Sequence, residues 1–148
     1  MIQRKQTLFL LLAVILNVLC MSSQVATLFY DSGAAFAKMF NLWLADGQGG
    51  HSYVVAPLFV CLMISTLLAI ITIFMYMKRK IQAAMCLVNI IPLVTWYILM
   101  AVMTNFTGGL MRLEWPAVLP AISVILLFMA RKGVVADEKL VRSLDRIR

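Results

Sequence analysis

Four long apolar runs, none with a charged residue in its middle, fill most of this chain and leave little room for anything else. A helix needs about 20 mostly apolar residues to cross the roughly 30 Å hydrocarbon layer, where no water satisfies the backbone. The runs fall at about residues 7–29, 53–77, 81–103 and 114–130. They predict an all-α membrane protein with four transmembrane helices. Composition agrees, because 64% of residues are hydrophobic and only 13% charged, against roughly a quarter charged in soluble domains.

The cations then give the runs a direction. Arg4 and Lys5 precede the first run, Lys78, Arg79 and Lys80 separate the second from the third, and Arg131, Lys132, Lys139, Arg142, Arg146 and Arg148 follow the fourth. If each run crosses the membrane, these eleven share one side, and only Lys38 and Arg112 lie on the other. Basic loops stay in the cytoplasm, so both termini are expected there. The net charge of +7 is thus partly a topology signal. Juxtamembrane cations fit anionic lipid headgroups at the cytoplasmic face and do not make the presented basic surface of a nucleic-acid binder. A cleaved signal peptide is the other reading of the first run. The small pair Ala35 and Ala37 lies far beyond its apolar core, and a retained helix gives the even span count that two cytoplasmic termini require.

Little in the chain reads as reactive. Cys20, Cys61 and Cys86 lie in or beside apolar runs with no CxxC among them, as small helix-contact residues do. His51 is the single histidine, with no cluster of ligands beside it, so no metal or cofactor is expected and His51 reads as a polar loop residue. No serine has a histidine and an acid for company, and no acid lies in mid-membrane for proton coupling, so catalytic residues are not expected. The segment from Tyr30 to Ser52 is amphipathic and predicted to lie on the outer leaflet, with Trp43 as an interfacial anchor and residues 46–50 as a turn. The second outer segment turns at Gly108 and Gly109, brings Arg112 within pairing reach of Glu114, and ends in Trp115-Pro116, an aromatic anchor and a helix start.

Small and polar residues inside the runs indicate how the helices meet, because packing and interhelical hydrogen bonds hold helices together in lipid. Cys61, Ser65, Ala69 and Thr72 form one stripe on the second span and predict its packing seam; Ala117 and Ala121 offer a similar pair on the fourth. Asn17, Asn89 and Thr95 mark where an intramembrane polar site would lie, with Pro92 freeing the carbonyl of Val88. Each also has a purely structural reading as a kink or an interhelical bond.

Residues 133–148 are predicted to form a cytoplasmic amphipathic helix, separate from a bundle of residues 1–132, with Gly133 ending the fourth span and Asp137 capping the tail. The tail would rest on the inner leaflet or dock a membrane-protein partner, Leu140 and Leu144 as apolar anchors and Arg142, Asp145 and Arg146 facing the partner.

The opening Met1-Ile2-Gln3-Arg4 with Gln6-Thr7, and the closing Asp137-Glu138-Lys139-Leu140-Val141-Arg142-Ser143 with Asp145-Arg146 and Arg148, resemble a bacterial membrane family called domain of unknown function 4293. The resemblance runs in order along the whole chain and implies a four-helix, multi-pass protein of a Gram-negative inner membrane. It supplies no activity, cofactor or catalytic residue. Lys5 and the long first outer loop depart from the family pattern. The expected function is therefore non-catalytic, that of an accessory, scaffold or assembly subunit of a larger membrane complex. The alternative is a small-molecule or lipid binder, or a facilitator, built on the polar spot in the bundle.

Overall fold

The computed structural model describes residues 5–29, 36–45, 49–76, 78–106 and 110–145. The chain runs α1 (Lys5–Ser22), β1 (Gln24–Phe29), β2 (Phe36–Phe40), β3 (Leu44–Ala45), β4 (His51–Ser52), α2 (Ala56–Phe74), α3 (Arg79–Val88), α4 (Ile90–Phe106), β5 (Leu110–Leu113), a 3-10 turn (Trp115–Val118) and α5 (Leu119–Asp145). The expectation of an all-α chain is thus corrected to a mostly helical one carrying a five-stranded sheet at one end of its bundle.

Three helical stretches are long and apolar enough to cross a membrane: Ala56–Phe74, Arg79–Phe106 and Trp115–Val141; Gln6–Ser22 is a shorter apolar helix. Between 28% and 33% of the apolar windows of the three long stretches lies inside the fold. On α2 the buried positions are Leu58, Leu62, Ser65, Thr66, Ala69 and Thr72, while Val60, Met63, Ile64, Leu67, Ile71 and Phe74 face outward. The outward face of α2 is thus bulky and apolar while four of its six buried positions are small or polar, the arrangement of a helix packed in lipid. The stripe Ser65, Ala69, Thr72 is the packing seam the sequence predicts, with Cys61 half-buried at its end.

The first helix stops seven residues short of its expected end. Ser22 Oγ donates to the carbonyls of Val18 and Leu19, and Ser23 Oγ donates to Leu19 at 2.6 Å. The Ser23 N–H bonds the Cys20 carbonyl at 3.3 Å, three residues back and not four, and the helix closes there. Residues 24–29 continue as a strand, pairing antiparallel with β2 (Thr27 opposite Lys38) on one side and with β5 (Thr27 opposite Arg112) on the other. The sheet order is β4-β3-β2-β1-β5. Its inner face, with Ala26, Leu28, Ala37 and Met39 all buried, packs toward the bundle. Of the described residues after Tyr30, 36–40, 44–45 and 51–52 are strands of this sheet. Trp43, half-buried, packs its ring on Phe40 at 5.3 Å and edge-on to His51 at 6.3 Å, in an aromatic cluster on the sheet. His51 is exposed on β4.

The far end of the chain differs as well. α5 continues through Gly133 and Asp137 to Asp145 without a break, so neither residue bounds a separate tail helix. At the start of α5, Ala117 and Pro120 are buried while Ala121 is exposed, because the opening 3-10 turn spaces inward residues by three and not four.

Arg4, residues 46–48, Gly108, Gly109, Arg146 and Arg148 fall outside the described residues.

Candidate functional site

Polar side chains gather at three levels of the bundle. At the sheet end, Asn41 follows β2 and is fully buried. Its Nδ2 donates to the Cys20 carbonyl at 2.6 Å, and its Oδ1 accepts the Trp96 Nε1 proton at 2.8 Å. One loop amide therefore ties the last turn of α1 to α4. Tyr97 holds a second junction: its hydroxyl donates to the Ala117 carbonyl at 2.7 Å and accepts the Ala121 N–H at 3.0 Å. That hydroxyl sits inside the bond that an uninterrupted helix would form between those two residues, four apart.

The middle level holds the candidate polar site. Asn17 Nδ2 donates to Ser65 Oγ at 3.0 Å, joining α1 to α2. Farther along, Gln82 Nε2 donates to the Thr72 carbonyl at 3.2 Å. Seven residues up α3 from Gln82 is Asn89, and seven back along α2 from Thr72 is Ser65; at about 1.5 Å per residue both lie about 10 Å from that contact. Asn89 thus shares a level with Asn17 and Ser65. It is buried, and among the described residues neither its Nδ2 nor its Oδ1 has a partner; Asn17 Oδ1 and Ser123 Oγ are also unpartnered. Pro92 supplies no N–H to Val88, and the helix divides at Asn89. Thr95 does not join them, since its hydroxyl donates to Ile91 of its own helix at 3.0 Å and it sits six residues, about 240° of turn, from Asn89.

At the open end, Gln6 Nε2 donates to Asp137 Oδ2 at 2.9 Å and Arg79 Nη1 donates to the Asp137 carbonyl at 3.3 Å. Asp137 therefore clamps α1 and α3 to α5 instead of capping a tail. Gly133 lies opposite Gln6: a Cβ there would meet Gln6 Cβ at 3.5 Å. Beyond Asp137 the helix continues with Leu140 64% exposed. Arg142, Leu144 and Asp145 lie on that extension, and Arg146 lies outside the described residues. Nothing in the sequence singled out the glutamines Gln6 and Gln82, which the fold buries.

Among the described residues no group of three or more His, Cys, Asp or Glu side chains comes together, and the three cysteines are free.

The sequence model of the family described as domain of unknown function (DUF4293) matches residues 2–147. The chain belongs to this family. No curated protein matches it. For a DUF4293 chain the family supplies no catalytic or binding residue, so a role has to be argued from the geometry above.

Proposed function

We propose that this DUF4293 protein is a non-catalytic accessory, scaffold or assembly subunit of a larger complex in a bacterial inner membrane. In this reading all four apolar stretches cross the membrane, both termini are cytoplasmic, and the sheet is on the opposite side. The eleven-to-two distribution of basic residues supports that orientation. A single feature carries the partner role: α5 stays helical beyond the clamp at Asp137, holding Leu140 64% exposed in a basic stretch. An apolar residue on a protruding amphipathic helix is a docking element, with Leu140 and Leu144 as anchors and Arg142, Asp145 and Arg146 for charge complementarity. Anionic headgroups neutralise the remaining cations at that face.

The test is affinity purification of the full chain in mild detergent, with mass spectrometry of what accompanies it, beside a chain ending at Glu138. That cut keeps Gly133 and Asp137, which hold the bundle together. A stoichiometric partner present with the full chain and lost on truncation is the expected result. Unchanged co-purification would remove the main support.

The alternative, a binder of small molecules or lipid at the middle level, draws on the unpartnered amide of Asn89, with Asn17 at the same level and Thr95 left out of the site. It requires Asn89→Leu to abolish binding while the bundle stays folded.

A further inference from the structure

At the sheet end an open cleft of about 400 Å³ is lined by Ser23, Gln24, Glu114, Trp115 and Pro116. It lies where α1 has just ended and the α5 segment begins, which in a spanning bundle is headgroup depth. Trp115 is 70% exposed there, and Val118, one turn farther in, is 56% exposed toward lipid. An indole at such a boundary is an interfacial group. The carboxylate beside it is held in place: Gln24 Nε2 donates to Thr27 Oγ1 at 2.8 Å, and Thr27 Oγ1 donates to Glu114 Oε1 at 3.1 Å.

Arg112 adds the complementary charge. The sequence places it within pairing reach of Glu114, yet Glu114 takes the Thr27 hydroxyl instead. Glu114 has extended backbone, φ −93° and ψ 160°, so the strand geometry of β5 persists to it and Arg112 and Glu114 share a face. Two residues of strand put their Cα atoms about 7 Å apart. Arg112 lies outside the cleft's lining, but two long side chains on one strand face at that Cα spacing reach the two charges of a zwitterion whose phosphate and ammonium are a few ångströms apart, with an exposed indole adjoining the anion.

We infer that this cleft binds the headgroup of an amine-bearing phospholipid, a phosphatidylethanolamine. The ammonium lies on Glu114 and the face of Trp115, by ion pairing and cation–π attraction; the phosphate lies on Arg112. The inference rests on the membrane-spanning part of the proposed function and is independent of any protein partner.

Native mass spectrometry tests it. The full chain is released from micelles containing equal amounts of phosphatidylethanolamine and phosphatidylglycerol, and retained adducts of each are counted. Glu114→Gln, which still accepts the Thr27 proton, is expected to lower the phosphatidylethanolamine adduct at least threefold and leave the phosphatidylglycerol adduct unchanged. Trp115→Leu, which leaves the carboxylate in place, is expected to lower it in the same selective way. An unchanged phosphatidylethanolamine adduct in both variants, or an equal loss of both lipids, overturns the assignment. Glycerophosphoethanolamine, the headgroup without acyl chains, is the further probe: if it saturates the site as well as the intact lipid does, the ligand is a soluble amine and the lipid assignment fails. A chain that does not span the membrane retains neither lipid, which separates failure of the topology from failure of the site.

Discussion

Replacing Asn41 by leucine removes the single side chain that connects the loop after β2 to two helices. Asn41 and Trp96 are both 0% exposed, and the bonds at 2.6 Å, donated by the amide, and 2.8 Å, donated by the indole, are short for N–H donors. Leucine keeps the branching at Cγ but is larger, so overpacking at this fully buried site adds to the polar cost. The indole N–H is left buried without an acceptor, about 1–3 kcal/mol. The Cys20 carbonyl loses its stronger donor but keeps the Ser23 N–H at 3.3 Å, so about 0.5–1.5 kcal/mol is lost there. Added apolar burial offsets part of this, and the expected net loss is about 2–3 kcal/mol. Equilibrium unfolding in mixed micelles of increasing dodecyl sulfate content, followed by helical circular dichroism, measures it. In Trp96→Phe the indole N–H is absent, so a second change at Asn41 should cost less by about 1–2 kcal/mol. Wild-type stability within about 0.5 kcal/mol for Asn41→Leu, or strict additivity with Trp96→Phe, would refute the reasoning.

Three further outcomes follow from the same geometry. Tyr97→Phe removes the hydroxyl lodged between Ala117 and Ala121 and should cost about 1 kcal/mol, less if the backbone bond closes behind it; amide exchange at Ala121 distinguishes the two. Asn89→Leu should stabilise the bundle by about 1–3 kcal/mol, because both amide atoms lack partners, and a lower unfolding temperature would show that something pairs with them. Gly133→Ala should be neutral or stabilising by up to about 1 kcal/mol, since its Cβ meets only ordinary contact at 3.5 Å, whereas Gly133→Leu should push α1 from α5 and lose about 2 kcal/mol or more on the same titration.

The helices were legible because hydropathy and charge position act residue by residue, with no knowledge of what packs where. The α2 seam was legible for a similar reason: Ser65, Ala69 and Thr72 are small at helical spacing within an otherwise bulky run, and only a close contact calls for that. Asn17 likewise needed a partner, although nothing in one sequence could name Ser65. The end of α1 was not legible. Val25, Leu28 and Phe29 prolong the apolar run, and hydropathy does not distinguish a buried strand from more helix. What fixes it is long-range: the Asn41 amide on the Cys20 carbonyl and the pairing of residues 24–29 with β2 and β5. The Asn41 tie joins residues 55 positions apart from Trp96, and no local pattern encodes such a contact. Gly133 misled for an opposite reason: glycine after an apolar run is a common helix end, but here its missing side chain makes room for Gln6.

These details give the bundle two unlike ends. Lipid removes the hydrophobic drive for helices to associate, so their spacing depends on close contacts and hydrogen bonds. At the sheet end Asn41 and Tyr97 each bond to two other elements, and Thr27 and Gln24 fix Glu114 on the sheet. The helices are held there independently of anything outside the chain. At the other end Gln6 and Arg79 clamp Asp137, and α5 continues beyond them to Asp145. Between them the layer of Asn17, Asn89 and Ser123 carries unpartnered atoms, with Pro92 weakening the helix beside it. Force applied to the protruding end of α5 would therefore be absorbed at the middle level before it reached the sheet, so a partner gripping Leu140 could tilt the lower bundle while the cleft at Glu114 kept its shape.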